Sequence, residues 1–414
     1  MGNTTLRIPP SFAPASLLPP QPATRNSLIL AILSITSLKS RLCCSYFPAS
    51  PTNQVTSPQI QGGRGRGRVP RGIASGAALL LLLAAALPVH AATLARIRAS
   101  HTLRCGVNQE TPEYSSTDDH GPRRAFDAEI CRAVAIAILG PDARVILTSY
   151  PDDVGAMTAL RAGKVDLLPT LTLDLTHASN PALAFSPPIL YDGVGFLIPS
   201  SASLTHADQL SGKKICFLAS TQVELSLRVW FARQHLDFVP FPFNEEGEME
   251  AAFVSGNCPA LAGDLTRLVS TRIGFGPLAA RYALLPDPIS HDPAVISQDP
   301  LAAASRSDDP AFARIVTWTL EVLLNAEASG LTQHNIVSIG PTADETTQVL
   351  TGRSGEIGAR LGLSNSWATH VLNAVGNYGE IYDRTLGDQS PLKLPRAQSR
   401  LSTQGGLMLP LPLK

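Results

Sequence analysis

Residues 144–168, RVILTSYPDDVGAMTALRAGKVDLL, decide the fold. Arg144 to Thr148 reads as a strand, Val154 to Ala162 as a helix closed by Gly163, and Val165 to Leu168 as another strand. Strand, helix and strand joined by connections this short make a right-handed crossover between parallel strands. The preceding segment has the same rhythm. Thr102 to Val107 (TLRCGV) is a short buried strand, and Ala125 to Leu139 (AFDAEICRAVAIAIL) is a helix. Phe126, Ile130, Val134, Ala137 and Ile138 form its apolar stripe, and Gly140-Pro141 ends it. The pattern predicts an α/β unit with a parallel sheet, whose ligands bind beyond the carboxyl ends of its strands.

A second, shorter α/β unit opens near Ser200. Lys214 to Leu218 is a strand and Thr221 to Gln234 a helix, with Thr221-Gln222-Val223-Glu224 read as a capping box. Phe238 to Phe241 is a strand, and Glu246 to Ser255 is a helix stopped by Gly256-Asn257. Cys258 to Ala262 is the next strand, followed closely by Asp264. Near Ile289 to Leu301 the chain returns to the first unit. Pro310 to Ala328 is a helix with Phe312, Ile315, Val316, Leu320, Leu323 and Leu324 on its apolar face. The boundaries predicted are 92–199 with 290–337 for the first lobe, 200–289 for the second, and 338–414 for a C-terminal extension. In that extension Leu363 to Ala374 reads as a helix burying Trp367, Val371 and Leu372, and Gly405 to Pro412 as an extended tail.

Upstream, residues 69–91 read as a secretory signal. Arg64, Arg66, Arg68 and Arg71 lead into an apolar run from Ala77 to Leu87, and Val89-His90-Ala91 supplies a small-residue exit before Ala92. That run of 11 residues is short of the roughly 20 that a bilayer span needs. Residues 1–68 are rich in Pro, Ser, Thr and Asn and read as a disordered leader, or as sequence upstream of a true start at Val69. Eight of the 33 basic residues and none of the 33 acidic ones lie in residues 1–91, so the remainder carries a formal net charge of −8. Such an acidic chain argues against nucleic acid or an anionic membrane as partner.

Cys43 and Cys44 fall in the leader. The other four, Cys105, Cys131, Cys216 and Cys258, are an even set in an exported chain, which points to disulfides. Three pairings are possible; the spacing favours Cys105–Cys131 and Cys216–Cys258, each inside one lobe. No Cys-x-x-Cys and no His-x-x-x-His occurs, so no metal site is expected. Neither a phosphate loop, a Gly-x-Ser-x-Gly nor a dinucleotide fingerprint is present, so no cofactor is expected either.

Several strings are more specific: FDAEICRAV (126–134), YDGVGF (191–196), WTL (318–320), NAE (325–327), VGNYGE (375–380) and GGLM (405–408). Together, in this order, they resemble the periplasmic general L-amino-acid-binding proteins of ABC importers, solute-binding protein family 3. The resemblance runs from about Ala92 to Leu411. It implies a type II periplasmic binding fold, with two lobes joined by two crossovers and a hinge that closes over a small ligand. It implies a monomer in the periplasm that hands an amino acid or related solute to a membrane permease and performs no chemistry. The alternatives are a receptor of altered or degenerate specificity, a sensor, or a dehydratase-like enzyme using Glu110, Glu113 and His177.

The resemblance also assigns the ligand site. Asp264 matches the aspartate that holds the ligand ammonium, since a buried charge needs a partner. Ser220 and Thr221 match a helix start whose N–H groups bind the carboxylate. Tyr114 matches an aromatic that covers the ligand, and Thr172 matches a family threonine. The family's arginine, which grips the ligand carboxylate with a fork, falls on His177. No other Arg lies between Arg161 and Arg228. Histidine cannot form the fork, and with an ordinary pKa near 6.5 it is mostly neutral at pH 7. Losing such a pair costs on the order of 2–5 kcal/mol, against about 8 kcal/mol for micromolar binding. On this reading L-amino acids bind weakly, and better at pH 6 than at pH 8.

Overall fold

The computed structural model describes residues 93–108, 126–150, 152–340 and 344–413. The leader, the signal segment and Tyr114 lie outside the described residues. The chain runs α1 (Thr93–Ser100), β1 (Thr102–Asn108), α2 (Phe126–Leu139), β2 (Arg144–Tyr150), α3 (Asp153–Arg161), β3 (Leu167–Thr172), a one-turn α4 (Leu175–Ala178) and β4 (Leu183–Asp192). Then come β5 (Val194–Pro199), β6 (Lys214–Leu218), α5 (Gln222–Arg233), β7 (Val239–Phe243), α6 (Glu246–Val254), β8 (Ala260–Asp264), α7 (Leu265–Gly274) and β9 (Tyr282–Leu284). The last part holds β10 (Asp299–Arg306), α8 (Pro310–Ala328), α9 (Glu345–Leu350), α10 (Ile357–Leu361), α11 (Trp367–Val375) and α12 (Tyr378–Thr385).

Two five-stranded sheets result, ordered β2-β1-β3-β10-β4 and β7-β6-β8-β5-β9. In the first, β1 pairs in parallel with β2 and β3, and only β10 runs against its neighbours. In the second, β6 pairs in parallel with β7 and β8, and only β5 runs the other way. Crossover helices connect the parallel strands, so both sheets have covered faces and apolar strands. Along β5, Phe196 and Ile198 face one core while Leu197 faces another, the period-two alternation of a strand buried on both sides.

Val194–Pro199, assigned from the sequence to the first lobe, is a strand of the second sheet. The chain changes sheet at Gly193, because β4 and β5 form one nearly continuous extended run with no turn between them. The return crossover lies beside the outgoing one: the Ile296 N–H donates to the Val194 carbonyl (2.8 Å) and the Leu285 N–H to the Phe196 carbonyl (2.8 Å). A Cβ on Gly193 would stand 2.5 Å from the Ser297 carbonyl oxygen, so the close approach of the two crossovers requires glycine there.

β3 starts two residues later than the sequence pattern suggests. Asp166 turns its carboxylate to the Arg104 amide (2.9 Å) and guanidinium (2.8 Å), and the ladder begins after it. In α2 the expected stripe is wider than one face. Cys131, Ala133, Ala135 and Ile136 are buried as well as Phe126, Ile130, Val134 and Ala137, whereas Ile138 is only half-buried. The cause is the C-terminal extension. Leu350, Trp367, Val371, Leu372, Tyr378, Ile381 and Tyr382 join the same core as α2 and α8, so the helix is covered on its outer side too. Each such large side chain withdrawn from water contributes about 1.5–3 kcal/mol.

The disulfides pair as the spacing favours, Cys105 with Cys131 and Cys216 with Cys258, with Cα separations of 6.6 and 5.9 Å. The first ties β1 to α2 and the second ties β6 to the approach to β8. No helix among the described residues is long and apolar enough to cross a membrane.

Candidate functional site

The carboxyl ends of the parallel strands converge on the crossovers. β8 ends at Asp264, paired with Val194 at the start of β5. β6, its neighbour, leads into Ser220 and Thr221 at the same edge. In the other sheet β3 ends at Thr172, paired with Leu301 on β10. The structure therefore puts Asp264, Ser220 and Thr221 at the hinge-facing edge of one sheet and Thr172 at that of the other. His177 follows on α4, and Tyr114 lies outside the described residues.

Asp264 is the last residue of β8 and the N-cap position of α7, yet its side chain makes no capping bond. Asp192 does that work from the end of β4. Its Oδ1 accepts the Leu265 N–H at 3.0 Å and its Oδ2 accepts the Thr266 hydroxyl at 2.5 Å. The Gly193 N–H adds a third bond at 2.8 Å. With the helix start satisfied from elsewhere, Asp264 is left open to solvent on one side while protein crowds its other sides. That crowding, with the charges of Asp192 and Asp299, pushes its carboxyl up to about 7; Arg267 pulls weakly the other way. Burial raises Asp192 as well, offset by its Thr266 and Gly193 hydrogen bonds. Asp299 is held by the Ser297 hydroxyl at 2.8 Å, and that hydroxyl accepts the Val194 N–H at 2.9 Å. Three carboxylates at one hinge favour a cationic group between the lobes.

Ser220 and Thr221 depart from the predicted cap. Ser220 has φ of +60°, and its N–H donates to Glu224 Oε2 at 3.0 Å. The Thr221 hydroxyl donates back to the Leu218 carbonyl at 2.8 Å instead of receiving a helix N–H. The capping box is thus absent: the glutamate reaches one residue too far, because the left-handed Ser220 turns its own N–H toward the helix. Arg228 grips the same carboxylate, Nε at 3.0 and Nη2 at 2.7 Å from Oε1, and the Arg228 and Ser220 bonds hold Glu224 below the ordinary carboxylate range.

His177 sits in the single turn of α4. Asp174 caps that turn, accepting the His177 N–H at 2.8 Å, and His177 Nδ1 lies 3.0 Å from the same carboxylate oxygen. Asp174 therefore faces the imidazole. Deeper in this lobe the Thr170 hydroxyl donates to Asp127 Oδ1 at 2.8 Å, joining β3 to the start of α2; burial lifts that carboxyl well above its ordinary range. Among the described residues no cluster of His, Cys, Asp and Glu could hold a metal ion. Sequence reasoning missed Asp192 and Asp299. The signal for Asp192 was in the YDGVGF string, where an acid precedes the hinge glycine.

No family model matches the chain. Relatives do. It is 34% identical over 346 residues to YhdW of Escherichia coli (strain K12), named as an amino-acid ABC transporter-binding protein, with 83% of this chain and 98% of that one covered. The general L-amino acid-binding periplasmic protein AapJ of Rhizobium johnstonii is also 34% identical over 346 residues, covering 82% of this chain and 98% of AapJ. The chain belongs to the family of amino-acid-binding proteins of ABC transporters. Among solved structures, an ABC transporter periplasmic binding protein from Brucella ovis with glutathione bound is 34% identical, with a TM-score of 0.67 over 78% of this chain and 100% of that one. The amino-acid-binding family accounts for the architecture: two α/β lobes of the type II periplasmic fold.

Proposed function

We propose that this chain is the periplasmic receptor of an ABC importer and takes a solute with an amino-acid head. Asp264 holds the ammonium. Thr221, Ser220, His177 and Thr172 surround the carboxylate, and Tyr114 covers the head. The observation that carries this reading is the uncapped Asp264, relieved of its helix by Asp192 and set among carboxylates that need a cation. The carboxylate side is weaker. The Ser220 N–H is held by Glu224, and His177 Nδ1 lies 3.0 Å from an Asp174 carboxylate oxygen. A ligand with a longer body suits such a head, because affinity then comes from further contacts. The glutathione in the Brucella ovis structure has a free amino-acid head and a peptide tail. The ligand class proposed is therefore an L-amino acid or a short γ-glutamyl peptide.

The receptor is proposed to act as an acidic monomer that does not bind nucleic acid, released by cleavage after Ala91. Supporting this, α1 opens at Thr93 with Leu94 and Ile97 buried in the first core. Delivery to a permease requires no catalytic chemistry. Calorimetry with glutamate, glutamine and glutathione tests the assignment. Asp264→Asn should lower the affinity of whichever binds by about 30-fold or more, the loss expected when a charged partner is removed. Unchanged affinity in that variant would remove Asp264 from the site.

A further inference from the structure

On the first lobe, away from the strand ends, Trp318, Val322, Ile357, Arg360, Leu361, Trp367 and Leu413 line a cavity of about 130 Å³. Six of these seven residues are carbon-rich walls contributed by α8, α10, α11 and the C-terminal tail. A dry apolar cavity of about 150 Å³ is known to admit benzene, so the space fits a single aromatic ring. Two polar groups are out of keeping with an empty apolar void. Trp367 is only 1% exposed, and its indole Nε1 is buried with no hydrogen-bond partner. Native structures seldom leave a buried donor unmet, and each one deserves an explanation. Arg360 is exposed, and its guanidinium makes no ion pair or hydrogen bond among the described residues. Its neighbour Gly362, by contrast, has its carbonyl tied to Arg98 at 2.7 Å.

We propose that this cavity is a second ligand site, which takes a small carboxylate with an apolar, ring-sized body. The ring lies between Trp318, Val322, Ile357 and Leu413, an acceptor of the ligand meets the Trp367 indole N–H, and Arg360 at the rim attracts the carboxylate. The site stands apart from the amino-acid head site and does not depend on that assignment.

The chain has three tryptophans, so the indole N–H resonances of the full exported protein give a direct readout, assigned with Trp→Phe variants at positions 230 and 318. Phenylacetate is the probe and benzyl alcohol its uncharged comparison. Millimolar phenylacetate should shift the Trp367 resonance saturably, and saturating glutamate should not compete. Arg360→Gln should weaken phenylacetate about fivefold, as for an exposed charge pair, and leave benzyl alcohol unaffected. Leu361→Trp, which fills the cavity from its rim, should abolish both. A Trp367 resonance that stays fixed overturns the site, and equal weakening of acid and alcohol by Arg360→Gln overturns the carboxylate specificity. Competition by glutamate would assign the binding to the cleft and overturn the second site.

Discussion

Asp264 stands where a helix would ordinarily take a carboxylate for itself, and Asp192 occupies that role instead. The arrangement costs stability and provides a ready anchor. A carboxyl raised from its ordinary value to about 7 favours folding fully only below the unfolded pKa, and the benefit is lost as pH rises through 7. Asp264→Asn should therefore stabilise the ligand-free protein at pH 8; solvent access limits the gain to on the order of 1 kcal/mol, or about 2–4 °C in Tm. Melting curves at pH 5 and pH 8 check this, with little gain expected at pH 5. Binding has the opposite dependence. An ammonium needs the ionised carboxylate, so a group near 7 is about one-tenth ionised at pH 6 and nine-tenths at pH 8, a tenfold range in affinity. This is the reverse of the sequence expectation of better binding at pH 6. Affinity should rise about tenfold from pH 6 to pH 8; a flat profile by calorimetry would refute the Asp264 anchor. His177→Arg restores a forked donor and should strengthen binding of α-carboxylates by on the order of tenfold or more, measured by calorimetry against an amine lacking the carboxylate.

At the scale of elements, the start of α5 carries its own anion. Glu224 fills the Ser220 N–H and is itself held by Arg228, so a ligand carboxylate must compete with an internal one. Glu224→Ala should raise affinity for amino acids several-fold while loosening the helix start; weaker binding by calorimetry would mean that Glu224 supports the site. The sequence shows that Thr221 precedes a helix with a glutamate three residues on, and the structure has that helix at Gln222–Arg233. The sequence could not show the left-handed turn at Ser220, which moves the bond by one residue. Element positions were legible wherever apolar period and turn residues agreed: β6 and α8 begin and end where expected. They slipped where a side chain claimed a backbone group, as Asp166 does ahead of β3, or where the chain passes between sheets without a turn, as at Gly193. Asp264, Thr172 and His177 are candidates only through resemblance, because nothing local in the sequence marks a strand end as the place for a ligand. Asp192 escaped notice for a related reason. Its partners Leu265 and Thr266 lie more than 70 residues away in the chain, and the capping they share exists only once both crossovers are in place.

Across the whole molecule, the C-terminal extension links parts that the sequence kept separate. Arg396 forks onto Glu327 at 2.5 and 3.1 Å and lies over the Tyr378 ring, 5.2 Å from its centre. This explains why the NAE and VGNYGE strings occur together: they hold α12 and the tail against α8. The extension also reaches beyond the first lobe. Arg272 of α7 donates to the Leu392 carbonyl at 3.0 Å, and Arg400 pairs with Asp292 on the return crossover. The disulfides are distributed differently. One joins residues 26 apart within the first lobe and the other joins residues 42 apart within the second; neither spans a crossover. Loop-closure entropy assigns them about 3.5 and about 3.9 kcal/mol of stabilisation. Since both lie inside rigid units, removing either should lower stability without altering how the lobes approach a ligand. Paired Cys→Ser variants at 105/131 or at 216/258 should thus lower the urea midpoint, with ligand affinity of the folded protein changed by less than about twofold at temperatures well below unfolding. A large loss of affinity in the 216/258 pair alone would mean that this bond, one strand away from Asp264, fixes the site geometry as well as the lobe.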